Sequence, residues 1–144
     1  MAETNLTIDG EVETPLALSR DDMAALPGDL LVPDVSQLEP RRQGRAVQLN
    51  ALLDRAAPTA AATHLTLHAS SDDFAASIPL DVVRNSGVLI FEIDGEAVEP
   101  AQGGPYRFLI PNAAACQTAE LDACANVKFV DRIELTVGKG RDTR

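Results

Sequence analysis

Two thiols, two imidazoles and a handful of basic side chains are the groups in this chain whose types and spacing could do chemistry. Cys116 and Cys124 are its only cysteines, and residues 117–123 between them are part of an Ala-rich stretch. C-x7-C is not a zinc-knuckle spacing, and two thiolates alone do not complete a metal site. A redox pair would be better signalled by C-x-x-C. Two free thiols in a reducing compartment, or a loop-stapling disulfide in an oxidising one, also account for the pair. His64 and His68 lie four apart in an alternating segment, HLTLH, so they face the same side of a strand. At roughly 3.3 Å per residue they stand ~13 Å apart, too far to share a metal ion. They read as ordinary strand histidines.

The cations fall into three places. Arg107 sits in the apolar run YRFLI, and Lys128 sits between Val127 and Phe129. Alternation aims each away from the core, where it is either solvated or available to an anion. A guanidinium can grip two phosphate oxygens at once, so a basic pair of this kind makes physical sense as an anion site. Arg41, Arg42 and Arg45 form the densest basic cluster, a solvated loop or a rebuilt anion site. Lys139, Arg141 and Arg144, broken by Asp142, mark residues 139–144 as a flexible basic tail, with partner binding as the sharper reading. Asp72-Asp73 reads as a turn. No G-x-S-x-G, H-E-x-x-H, P-loop, EF-hand or G-x-G-x-x-G pattern is present.

These groups need a scaffold, and composition bounds it. A chain of 144 residues that is 45% hydrophobic can bury one core, and residues 1–138 read as a single domain. Aromatics are only 3% with no Trp, so the core is aliphatic and a base-stacking platform is disfavoured. The formal net charge of −10 disfavours nucleic acid and anionic membranes as partners. No apolar run approaches the ~20 residues of a membrane span. Residues 1–5 carry no signal-peptide pattern, so a cytoplasmic location is expected.

Short elements fill the chain. Leu6–Ile8 and Leu16–Leu18 read as strands, with Asp9-Gly10 as a turn between them. Ser19 with Asp22 caps a short helix that ends at Pro27-Gly28. Val47–Ala57 has Leu49, Leu52, Leu53 and Ala56 at helical spacing. His64–His68, Phe74–Leu80, Val88–Ile93 and Tyr106–Ile110 read as strands, and Val127–Val137 as a strand or strand pair. Regular βα alternation is absent. The class is α+β with a mixed or largely antiparallel sheet and short helices.

Taken in order, six pieces of this sequence resemble the molybdopterin-binding domain of the sulfite oxidase family. They are LTIDGEVETPLAL (6–18), SRDDMAALP (19–27), GRAVQLNALLDRAAP (44–58), SSDDFAASIPL (70–80), VLIFEIDGEAVEPAQGGPYRFLIP (88–111) and NVKFVDRIELT (126–136). The third is similar to the family's G-V-P-L-x-x-L-L-x-x-A segment. The resemblance implies a molybdenum–pterin cofactor, a Cys thiolate on the metal, basic residues on the pterin phosphate, and oxygen-atom transfer to or from a small substrate such as sulfite. A thiolate suits a soft metal site.

The departures bear on function. The family's ligand Cys falls between the first helix and the G-V-P-L segment. Here that stretch is GDLLVPDVSQLEPRRQGRAV, with Ser36 or Gln37 at the nearest position and no Cys. Where members carry a His before G-x-P-x-R, this chain has Gln102. Arg107 and Lys128 match the family's Arg and Lys, and Phe129 replaces a Trp. The resemblance thus implies Arg107, Lys128 and Gln102 as cofactor-side residues. Cys116 and Cys124 are the only thiolates left to a metal, approaching from a new direction. Two readings follow. One is a divergent member without the metal, binding a small anionic ligand or a protein partner. The other is a molybdopterin-dependent oxidoreductase with an atypical ligand. The missing thiolate and His favour the first.

Overall fold

The structure is a computed structural model, and it describes residues 5–38, 42–110 and 126–143. Its elements run β1 (Leu6–Gly10), β2 (Leu16–Leu18), α1 (Arg20–Ala24), β3 (Leu31–Val32), β4 (Arg45–Gln48), α2 (Leu49–Ala56), β5 (His64–Ala69), β6 (Phe74–Pro79), α3 (Leu80–Val83), β7 (Val88–Ile93), β8 (Glu96–Ala97), β9 (Arg107–Leu109) and β10 (Arg132–Thr136). They build two sheets. The first has the order β2-β1-β10-β5-β6, antiparallel except for the parallel β1–β10 pair. The second has the order β3-β4-β7-β8, with β9 also antiparallel to β7. The α+β expectation holds.

Period-two alternation sorts the side chains. In the first sheet Leu6, Ile8, Leu65, Leu67, Ile133 and Leu135 point inward and are fully or almost fully buried. In the second, Val47, Leu89, Phe91 and Phe108 meet them, and Leu49, Leu52, Leu53 and Ala56 of α2 complete this large core. Residues of the opposite parity in the second sheet, Ala46, Val88, Ile90 and Leu109, form a smaller apolar cluster on its outer face with Val35, Ile93 and Val98. Arg107 shares parity with Leu109. It therefore lies on that outer face, beside the loop that carries Val35 and Arg42.

Local signals hold where they are strongest. Ser19 Oγ accepts from the Asp22 N–H at 3.1 Å while the Asp22 carboxylate accepts from the Ser19 N–H at 2.9 Å, a reciprocal cap. Elsewhere tertiary pairing overrides them. The helix expected over 47–57 begins at Leu49, because Val47 is claimed by strands on both sides, Leu31 and Leu89. Asp9-Gly10 is not the turn but the end of β1, since a Cβ at Gly10 would collide with the Leu135 carbonyl; the chain turns one residue later, where the Val12 N–H donates to the Gly10 carbonyl. The Val127–Val137 segment breaks at Phe129, which adopts φ +60°, and only Arg132–Thr136 is strand.

The tail also departs from expectation. Residues 139–143 are not frayed. Gly140, Asp142 and Thr143 hydrogen-bond to β6, and Arg141 reaches the Asp73 carboxylate at 2.9 Å. Backbone groups of β6 left open by β5 supply the partners that a solvated tail would lack.

Candidate functional site

The site is assembled by a turn and a two-stranded ladder. Residues Pro100–Gln102 form a 3-10 turn, with the Glu99 N–H donating to Gln102 Oε1 at 3.0 Å. Gly103 follows at φ +95°, the left-handed region that glycine adopts without strain. Gly104-Pro105 is a cis peptide. The segment 127–130 then hydrogen-bonds to 103–108: Phe129 N–H to the Gly103 carbonyl at 2.7 Å, Phe108 N–H to Val127 at 2.8 Å, and Val130 N–H to Tyr106 at 2.8 Å. These bonds bring Lys128 against the Gly103 turn, 21 positions away from Arg107 in sequence.

Arg107 and Lys128 meet over Gly103. A Cβ at Gly103 would lie 3.3 Å from Arg107 Cδ and Nη1 and 3.3 Å from Lys128 Cγ. The glycine thus leaves the room that both basic side chains use. Arg107 Nη1 donates to the Gln102 carbonyl at 3.3 Å, which fixes its head, and Lys128 Nζ stands 5.9 Å from the centroid of the Phe129 ring. Gln102 therefore acts on Arg107 through its main chain, while its side-chain oxygen caps the turn.

A second guanidinium, that of Arg42, shares a cavity with Arg107. Arg107, Arg42, Gln102, Ile90, Ile93 and Val98 help line a cavity of about 190 Å3 on the outer face of the second sheet. Burial pushes the Arg107 guanidinium below its ordinary value, and repulsion from Arg42 pushes it further the same way. Two guanidiniums thus share a partly dry space in a chain of net charge −10. Arg42 also borders a wider polar crevice of about 620 Å3 with Asp34, Ser36, Arg45 and Glu92.

The other residues singled out from sequence go elsewhere. Arg45 is tied to the fold: its Nε lies 3.7 Å from Glu92 Oε1 and its head stands 5.3 Å from the centroid of Phe91. The same carboxylate meets Arg20 Nη1 at 3.3 Å. Ser36, near the position of the family's thiolate, donates to Asp34 Oδ1 at 2.6 Å, and its N–H adds a second bond at 3.0 Å. Those bonds, side chain first, hold the Asp34 carboxyl below the usual range. His68 Nε2 pairs with Glu134 Oε1 at 3.0 Å on the outer face of the first sheet, away from this site. Arg41, Cys116 and Cys124 lie outside the described residues. The ends of the segment that carries the cysteines are close together, for the Ile110 N–H donates to Asn126 Oδ1 at 2.7 Å. Among the described residues no group of three or more His, Cys, Asp or Glu is placed to hold a metal ion.

Sequence reasoning placed Arg42 in a cluster with its neighbours but did not set it opposite Arg107. It also missed Gln43 and the apolar wall of Ile90, Ile93 and Val98. The alternation of β7 and β9 gives part of that wall; the fold of the loop onto it has no sequence signature.

Arg107 and Lys128 thus flank the Gly103 turn, and Arg42 shares the adjoining cavity with Arg107. The family model for the oxidoreductase molybdopterin binding domain matches residues 45–141, more than half of the chain. The chain belongs to that family. The match takes in four of the six resembling pieces, from β4 through β10; the first two, residues 6–27, precede it. The crystal structure of the sulfane dehydrogenase SoxCD from Paracoccus pantotrophus is similar in fold, with a TM-score of 0.68 and 19% identity. That likeness covers 96% of this chain and 40% of the SoxCD chain, so this member of the family spans well under half the length of that protein. A comparison with curated proteins finds no match.

Proposed function

We propose that this molybdopterin-binding-domain protein holds a phosphate-bearing ligand of the pterin class between Arg42, Arg107 and Lys128. On this reading it works as a binding module with no metal-holding thiolate between α1 and β4. The observation that carries the reading is the convergence of like charges. Burial first, and then the charge of Arg42 across the cavity, depress the Arg107 pKa, an arrangement that costs stability in the free protein. An anion between the two would convert that repulsion into two attractions.

The division of labour follows from side-chain chemistry. Arg107, oriented by the Gln102 carbonyl, offers a planar fork to two phosphate oxygens. Lys128 adds a compact point charge from the solvent side. Gly103 leaves the room in which the Arg107 and Lys128 side chains come together, which a Cβ would crowd. Ile90, Ile93 and Val98 form a dry wall that strengthens the electrostatic attraction. The molybdenum–pterin group, when bound, supplies oxygen-atom transfer chemistry. Ser36 offers no thiolate to such a metal, and its hydroxyl is committed to Asp34.

A second reading has its own support. The Ile110 N–H donates to Asn126 Oδ1 at 2.7 Å, and in sequence Cys116 and Cys124 fall between these two residues, of which Asn126 lies two positions from Lys128. That favours an oxidoreductase with an atypical thiolate. Elemental analysis of protein made in a host that synthesises the cofactor separates the two. The module reading expects no stoichiometric molybdenum, together with saturable phosphate or pyrophosphate binding that is lost in Arg107→Met. Near-stoichiometric molybdenum, abolished by Cys116→Ser or Cys124→Ser, establishes the second reading in its place.

A further inference from the structure

The sheets of this protein end in strands of very unequal length. Among the described residues the edge strands β2, β3, β8 and β9 have 3, 2, 2 and 3 residues. The fifth, β6, has 6 residues and closes one side of the first sheet. Its sequence, FAASIP, contains no charge, and its Pro comes only at the last position. A long edge without charge or internal proline is a template for pairing with another chain. Yet Ala75, Ala76, Ser77 and Ile78 are at most 1% exposed.

The cover comes from residues 138–143. Gly138 N–H donates to Thr63 Oγ1 at 2.7 Å, which starts the crossing. Gly140 passes over the outer face, its N–H donating to Ser77 Oγ at 2.9 Å, so close to the sheet that a Cβ would lie 2.5 Å from Thr66 Oγ1. The chain then runs along the open edge. The Ser77 N–H donates to Asp142 Oδ2 at 3.3 Å, and the Ala75 N–H donates to Thr143 Oγ1 at 3.0 Å. The Ala75 carbonyl accepts from the Thr143 N–H at 2.8 Å. The edge N–H groups are thus met by side chains. A strap that uses side chains in this way satisfies the edge without offering a new one.

We propose that residues 138–143 are a cis strap over β6, and that the edge it covers is a pairing surface for a second copy of this chain. The occupant follows from the strand. Two β6 strands can run antiparallel about a two-fold axis, each giving the other what the strap gives now. Ala75, Ala76 and Ser77 are small enough to let two backbones meet, and no like charges oppose one another. Tethering makes the strap the stronger competitor, since short linkers give effective concentrations in the millimolar range. The parent protein therefore does not pair through β6 at micromolar concentration.

The test uses the full chain. Gly140→Val drives a side chain into Thr66 and lifts the strap; the double variant D142A/T143A removes its edge contacts without a clash. Amide exchange at Ala75 and Ser77 should speed up by on the order of 10-fold or more in dilute variant, while Leu67 in the central strand β5 stays protected. Sedimentation of both variants should then show mass rising with concentration toward that of two chains, with protection of Ala75 and Ser77 returning as the dimer fills. Variants whose edge amides open but which stay monomeric across the series overturn the pairing surface. Unchanged protection in both variants overturns the strap.

Discussion

Two outer faces of this molecule carry arginines in strands, and the two are treated in opposite ways. On the first sheet Arg132 of β10 lies between carboxylates: Nε meets Asp9 Oδ1 at 2.9 Å and Nη2 meets Glu134 Oε2 at 3.4 Å, with His68 on the same Glu134. The Asp9 hydrogen bond raises the Arg132 pKa above its ordinary value. On the second sheet Arg107 of β9 has a backbone carbonyl for a partner and Arg42 across a cavity, and its pKa moves down. One guanidinium is satisfied within the fold. The other is held in place with no carboxylate paired to it among the described residues. That contrast supports the proposed anion site at Arg107, since displaced pKa values gather at functional sites.

The largest effect expected from breaking this contrast is at Arg107. Arg107→Met keeps most of the aliphatic stem and removes the fork. Hydrogen bonds to charged groups contribute about 1.5–3 kcal/mol, so phosphate affinity should fall by roughly 10- to 100-fold. The free protein should lose no thermal stability and gain a little, because burial cost and repulsion from Arg42 both disappear. Isothermal titration and calorimetric melting read the two halves. A variant that binds as before, or melts well below the parent, would place Arg107 with Arg132 as a structural residue.

Arg132→Met is the mirror experiment, with a smaller effect. Its side chain is 39% exposed and that of Asp9 is 32% exposed, so solvent screens the pair. Exposed pairs contribute about 0–1 kcal/mol, and the loss of two carboxylate partners should sit near the upper end. Melting should fall accordingly, and more at low salt than at high salt. Phosphate affinity should not change. Equal losses of affinity in Arg132→Met and Arg107→Met would mean that both report on the fold as a whole.

The scaffold was readable from the sequence wherever one strong local rule acts alone. The alternation of HLTLH, the apolar strand run VLIFEI and the Ser19–Asp22 cap survive in β5, β7 and α1. Rules fail where two segments compete for the same backbone, as at Val47, which helical spacing assigns to α2 and cross-strand pairing assigns to β4. The tail fails for a related reason: its Gly, Asp and Thr look like solvated composition until the open edge of β6 is known. Of the site, Arg107 and Lys128 were legible as outward-facing cations and through the family resemblance. Their meeting over Gly103 was not, because it depends on the turn at Phe129, a residue type that rarely takes a positive φ. Nor was the approach of Arg42, whose loop is positioned by Val35 packing into the small outer cluster.

The finest test of the contrast is at the rim of the crevice, where Asp34 lies near the same loop as Arg42. If its carboxylate were drawn into the cation cluster, the second sheet would resemble the first. The geometry says otherwise, since the Ser36 hydroxyl and N–H account for the lowering of its pKa. Ser36→Ala should therefore raise the Asp34 titration midpoint toward the ordinary carboxylate range, read from the Asp34 carboxyl carbon by NMR, and leave phosphate affinity where it was. The sign of the stability effect follows from the depressed pKa. The contribution is present above the ordinary carboxylate range and is lost as pH falls through the lowered midpoint, so Ser36→Ala should flatten that acid limb. Asp34 is fully solvated, and the change in melting is the smallest of the three. A large loss of phosphate affinity in Ser36→Ala would instead make the Asp34–Ser36 pair part of the anion site and erase the difference between paired and unpaired faces.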